Sequence, residues 1–161
     1  MRCDHALIDK LAQLGDPKAV SFTKPKLDGK LKFSFSGIKT AVFYYLEKKK
    51  EMTEKERQDL CASFQETVVS WVVEKTLTAC EMTESKIVVT GGGVTANSLL
   101  RKRLTQEAEK KGIKVFIPPL KYTTDNAAMI ARNGYEKHMK FKLKTQEVIA
   151  NPNLGIGRSA A

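Results

Sequence analysis

Three short stretches of this 161-residue chain gather the residue types that can do chemistry. The first is Gly91-Gly92-Gly93, delivered by the β-branched run Ile87-Val88-Val89-Thr90 and followed at Asn97 by an amide side chain. Residues without a Cβ let backbone N–H groups come close to a ligand, and a helix opening there adds its positive dipole end. Asn97, near the first turn, can aim its amide at a base, ribose or phosphate. The spacing is neither G-x-G-x-x-G nor a Walker loop, so a tight turn chosen for packing competes with the ligand reading. The second stretch is Thr123-Thr124-Asp125-Asn126, where Asp125 falls at a helix N-terminus just after a strand. Ligands of open α/β sheets sit in such places, and an ordinary capping aspartate is the alternative. The third, Phe33 to Thr40, sets Ser36 beside Gly37 and Lys39. No general base is in prospect for a serine nucleophile, and an aromatic anchor before a capped helix accounts for the pattern. His5 and His138 lie near opposite ends without H-x-x-x-H spacing and read as surface residues. Cys3, Cys61 and Cys80 follow no ligand-like spacing and read as reduced thiols, with Cys61 and Cys80 in an apolar helical pattern.

The elements that must position these residues follow from periodicity and caps. Asp4 can cap a helix through Ile8, Leu11 and Leu14, stopped by Gly15-Asp16-Pro17. Residues 18 to 35 read as a hairpin, Ala19–Thr23 and Leu31–Phe35 turning at Gly29, with Phe33 and Phe35 on one face. Ser36 caps a helix through Ile38, Val42 and Leu46. Thr53-Glu54-Lys55-Glu56 is a capping box opening a long helix to about Met82, with Leu60, Phe64, Val68, Trp71, Val72 and Leu77 as its apolar stripe. A strand over Lys86–Thr90, a helix over Val94–Lys111 closed by Gly112, and a strand over Ile113–Ile117 form a βαβ unit, which implies parallel strands. Thr124 caps a last helix through Met129, Ile130 and Tyr135, and the pattern dissolves beyond Lys144. The expected organisation is one α/β lobe over 1–145, with a helical and hairpin part over 1–50, a βαβ nucleotide-binding part over 51–145, and a tail over 146–161.

Composition bounds the function classes. The chain is 42% hydrophobic and 29% charged, an ordinary globular balance. No apolar run approaches the roughly 18 residues of a membrane span, and the N-terminus lacks a signal-peptide core, so a soluble, cytoplasmic protein is expected. A net charge of +10 attracts polyanions, or else marks a solvated lysine coat. Lys48-Lys49-Lys50 and Arg101-Lys102-Arg103 fall on helices, and Lys140, Lys142 and Lys144 flank a helix end. None has aromatic interleaving, so any nucleic acid would be held by its phosphates and shape.

Four segments occur in order: Phe33-Ser34-Phe35-Ser36-Gly37-Ile38-Lys39-Thr40, Ala62-Ser63-Phe64-Gln65, Gly92-Gly93-Val94-Thr95-Ala96-Asn97 and Thr124-Asp125-Asn126-Ala127-Ala128-Met129-Ile130-Ala131. Together, over about residues 6 to 157, they resemble the C-terminal half of the tRNA N6-adenosine threonylcarbamoyltransferase family (TsaD-like; older labels glycoprotease or O-sialoglycoprotein endopeptidase). The resemblance implies one lobe of an actin/Hsp70-like, RNase H-like ATPase-type fold, helix-rich with a small, incomplete sheet. It implies that Gly92, Gly93 and Asn97 contact the adenylate of threonylcarbamoyl-AMP or an ATP-like nucleotide, and that Asp125 is a ligand to a divalent metal, iron or zinc. The implied reaction moves threonylcarbamoyl onto N6 of the tRNA adenosine next to the anticodon, with TsaB- and TsaE-like subunits as partners. The family's paired histidine ligands, phosphate loop and acidic ribose contact belong to an N-terminal half with no counterpart here. Its Gly-Gly-Pro would fall about Asp4-His5-Ala6. A fragment, inactive alone and self-associating through open strand edges, is therefore expected. A non-catalytic lobe binding tRNA or partner subunits is the alternative, and a metallopeptidase a weaker one, with no zinc motif behind it.

Overall fold

The computed structural model describes residues 5–24, 27–49 and 51–142. In chain order the helices are α1 (His5–Ala12), α2 (Ser36–Lys48), α3 (Glu54–Thr83), α4 (Ser98–Lys110) and α5 (Ala127–Phe141), with strands β1 (Ile87–Val89) and β2 (Lys114–Phe116) on either side of α4. Short 3-10 turns at Gly93–Ala96 and Leu120–Tyr122 link them. Two compact units divide between Asp125 and Asn126. Among the described residues, no helix is long and apolar enough to cross a membrane.

The first unit is organised by α3. Its capping box forms as expected: the Thr53 hydroxyl accepts from Glu56 N–H at 3.2 Å, and the Glu56 carboxylate accepts from Thr53 N–H at 3.0 Å. Val69, Val73, Leu77 and Cys80 form one buried stripe on α3, and Leu100, Leu104 and Ala108 the facing stripe on α4. Ile113 closes this core, with Val88 and Val115 of the two strands packed against it. The stripe thus runs through Val69 and Val73 rather than the expected Phe64, Val68 and Val72, which are half-buried. The reason is that α3 is covered on more than one side: Trp71, 3% exposed, faces Phe33 and Phe35 instead of α4.

β1 and β2 pair in parallel, Val88 opposite Val115, as the βαβ reading requires. Their other face carries Ile87, Val89 and Phe116, which are 56%, 75% and 46% exposed. Parallel strands are ordinarily covered on both faces, so this apolar surface is open for its type.

The expected hairpin over 18–35 does not form; no strand occurs among the described residues of that stretch. Two of its backbone donors are taken up by side chains instead. Lys18 N–H bonds the Asp16 carboxylate at 2.9 Å, and Val20 N–H bonds Ser63 Oγ at 3.0 Å. The Ser63 hydroxyl, fully buried on α3, donates in turn to Asp16 O at 3.2 Å. Phe33 and Phe35 still share one side, stacking edge-on against Trp71 at 6.1 and 6.4 Å between centroids. Ser36 is the first residue of α2 rather than its cap, and Ser34 Oγ accepts its N–H at 3.3 Å. Asp4 and the tail beyond Lys144 lie outside the described residues.

The turn after α1 docks on α3 through Gly15, where any Cβ would run into the Gln58 carbonyl and lie 2.8 Å from Asp59 N. Both are main-chain atoms of a packed helix and cannot swing away. Gly15→Ala is expected to destabilise the chain by about 1–3 kcal/mol. A urea unfolding curve with unchanged midpoint would show that this docking is loose.

Candidate functional site

The site is built around Asn97, where α1, α3 and α4 meet. Asn97 is the N-cap of α4, with φ −60° and ψ 126°, and its Oδ1 accepts from Leu100 N–H at 2.9 Å. That bond fixes which way the carboxamide faces. Nδ2 then donates to Gln65 Oε1 of α3 at 2.7 Å and to Asp9 Oδ1 of α1 at 3.3 Å. Asp9 also accepts from Ser98 Oγ at 2.8 Å and, through Oδ2, from Ser98 N–H at 3.2 Å. A carboxylate on the first amides of a helix is favoured by the dipole, so the positive end of α4 is occupied from within the chain.

This corrects the expected helix over Val94–Lys111. The glycines lead into the 3-10 turn Gly93–Ala96, and the α-helix begins only at Ser98, so its dipole does not open at the glycines. The physical reason is Asn97: its side chain satisfies the orphan N–H of Leu100 far better from a cap position than from inside a first turn. The 3-10 turn is fastened at Thr95, 7% exposed, whose hydroxyl donates to Gly92 O at 2.7 Å. Arg101 holds the same segment, with Nε to Thr95 O at 2.6 Å and a terminal nitrogen to Pro118 O at 2.7 Å.

Between these ties the glycines are exposed. Gly92 has φ +88°, a conformation only glycine adopts without strain. A Cβ built on Gly91, Gly92 or Gly93 would meet nothing within 4 Å. Packing within the described chain therefore does not demand glycine at any of the three, and backbone conformation demands it only at Gly92.

Gly92, Gly93 and Asn97 thus share one segment, while Asp125 belongs to the connection after β2. Neither Asp125 nor the expected Thr124 caps α5. Asn126 does, its Oδ1 accepting from Met129 N–H at 3.1 Å, and Asp125 is exposed. Among the described residues, no group of three or more His, Cys, Asp or Glu is placed to hold a metal ion. The residues present therefore do not fit a metal by themselves. Burial, with the Glu54 charge adding, pushes the pKa of the half-buried Cys61 thiol up from its ordinary value, which disfavours the thiolate.

The basic run Arg101-Lys102-Arg103 is also less available than its composition suggests. Arg103 forms a two-pronged pair with Glu66, one contact at 2.8 Å, and the hydrogen-bonded carboxylate raises the arginine pKa. Arg101 is committed to two carbonyls, which leaves Lys102 as the exposed member.

A parallel βαβ unit with an exposed glycine segment leading to a capped helix places the chain in the α/β class. The model of the TsaD family, tRNA N6-adenosine threonylcarbamoyltransferase, matches residues 3–132. Proteins bearing that description are similar along most of the chain. The one from Endomicrobium trichonymphae is 46% identical over 147 residues, covering 91% of this chain and 43% of the relative. That from Christiangramia forsetii is 49% identical over 138 residues, 83% of this chain and 40% of the relative. That from Thermotoga neapolitana is 43% identical over 151 residues, 93% of this chain and 45% of the relative. The chain belongs to the TsaD family, and it spans less than half the length of these curated relatives.

The sequence does not single out Asp9 or Ser98, and it shows Gln65 only within a motif and Arg101 only within a basic run, because most of their contacts join positions far apart in the chain. Gln65 carried one usable signal, a polar side chain at a helical position between apolar neighbours. The fastening of the glycine segment can be tested directly. Arg101→Met removes both carbonyl contacts and is expected to cost about 1–3 kcal/mol. It should also speed amide hydrogen exchange across residues 91–97. Exchange no faster than in the parent would show that Arg101 does not hold this segment.

Proposed function

We propose that this chain is the C-terminal lobe, of actin/Hsp70-like architecture, of a cytosolic enzyme that transfers threonylcarbamoyl from threonylcarbamoyl-AMP to N6 of the tRNA adenosine next to the anticodon. The observation that carries the reading is the open glycine segment. Small residues there leave room that nothing in the described chain fills, a few residues before an amide held in place by three bonds. An adenylate laid along it would meet the backbone of Gly92 and Gly93. Both Nδ2 protons of Asn97 are committed and Oδ1 keeps one lone pair, so Asn97 would act as an acceptor, from a ribose hydroxyl or the adenine amino group.

Asp125 would give the metal, iron or zinc, one carboxylate, with further ligands from the part of the protein that the relatives have and this chain does not. The surplus of positive charge favours tRNA through its phosphates, and TsaB- and TsaE-like subunits would complete the assembly. In this reading the lone chain is inactive. A second reading, a non-catalytic lobe that binds tRNA or a partner subunit, draws on the open face of Ile87, Val89 and Phe116, which also favours self-association of the lone chain.

Asn97→Ser is the informative variant, because a serine hydroxyl can still cap α4 while the amide is gone. In the full-length protein it is expected to weaken AMP by about 1–3 kcal/mol in a calorimetric titration and to lower threonylcarbamoyl transfer to tRNA. Unchanged AMP affinity would remove Asn97 from the nucleotide site. Transfer-incompetent protein that still binds tRNA would favour the second reading.

A further inference from the structure

We infer that Gln65 is a positioning residue for the Asn97 carboxamide, an inference that rests on the nucleotide reading of Asn97. Gln65 lies on α3 and is 6% exposed. Its surroundings on the helix are buried Ala62 and Val69, positions where an apolar side chain of similar volume would pack without desolvating a polar group. A glutamine is stable there only with its amide bonded, and its Oε1 takes the shortest of the three Asn97 side-chain contacts, 2.7 Å against 2.9 and 3.3 Å.

The geometry gives this contact a specific consequence. The bond from Leu100 N–H holds one lone pair of Asn97 Oδ1, but a single bond leaves the carboxamide free to rock about it. Gln65 supplies the second fixed point, from a 30-residue helix capped at its start and packed along its length. With both points fixed, the remaining Oδ1 lone pair has one direction. Asp9 is a weaker tether, because its contact with Nδ2 is longer and its carboxylate is shared with Ser98 N–H and Oγ. Gln65 therefore acts on the ligand only through Asn97.

A double-mutant cycle in the full-length protein tests this, with AMP as the titrant and thermal unfolding as the parallel readout. Gln65→Met keeps the side-chain length and removes the acceptor, and Asn97→Ser removes the amide. Gln65→Met is expected to weaken AMP roughly fivefold to tenfold in the parent, and less than about twofold once Asn97 is serine. A lower melting temperature with unchanged AMP affinity, or an equal loss in both backgrounds, would overturn the positioning role. If Asn97→Ser leaves AMP binding unchanged, the nucleotide reading fails and takes this inference with it. If Asn97→Ser weakens AMP and Gln65→Met does not, the positioning role alone fails. Should Gln65→Met not fold, the Asn97 side-chain protons in the parent decide: slow solvent exchange supports the tether, and free exchange overturns it.

Discussion

The carboxamide of Asn97 is the joint on which the rest of the first unit depends. Its oxygen caps α4 and its nitrogen joins α3 and α1, so one planar group of fixed orientation sets the mutual placement of three helices. Each bond contributes on the order of 1 kcal/mol on balance, but leaving any of these half-buried groups unpaired would cost more. The same joint sets where the α-helix may begin. With Asn97 in an extended conformation, α4 cannot reach back to the glycines, and the chain between Thr90 and Asn97 must be short, tight and fastened by other means. Thr95 and Arg101 supply that fastening, and the three glycines remain exposed.

Two features of the surface belong together. Among the described residues the sheet has two strands, with one apolar face on the core and the other exposed, and the chain spans 40–45% of these relatives. A parallel sheet of this size normally continues in further strands and is covered on both sides. The exposure of Ile87, Val89 and Phe116 departs from that pattern.

Much of this was legible in the sequence where the determinants are local. The capping box at Thr53 and Glu56, the parallel pairing implied by two β-branched runs around a helix, and the close of α4 near Gly112 depend on neighbours a few residues apart. What was misread depended on distant partners. The stretch from 18 to 35 alternates like a strand, but it has no strand to pair with, and Ser63 and Asp16 take its donors instead. The sequence marks Asn97 as an amide able to reach a ligand, and its bonds to Gln65 and Asp9, 32 and 88 residues away, follow only from the packed helices. Arg101 and Arg103 counted as surface charge until their partners, Thr95, Pro118 and Glu66, came into place.

The proposed function makes the glycine segment an open nucleotide cradle, fastened by Thr95 and Arg101 and followed by the Asn97 joint. The most direct measurement is a backbone amide NMR titration of the full-length protein with AMP. Shift changes and new exchange protection are expected to centre on Gly91, Gly92 and Gly93 and to reach Asn97, with the core of Val73, Leu77 and Leu104 unaffected. Binding of AMP that leaves the glycine amides unchanged would contradict it.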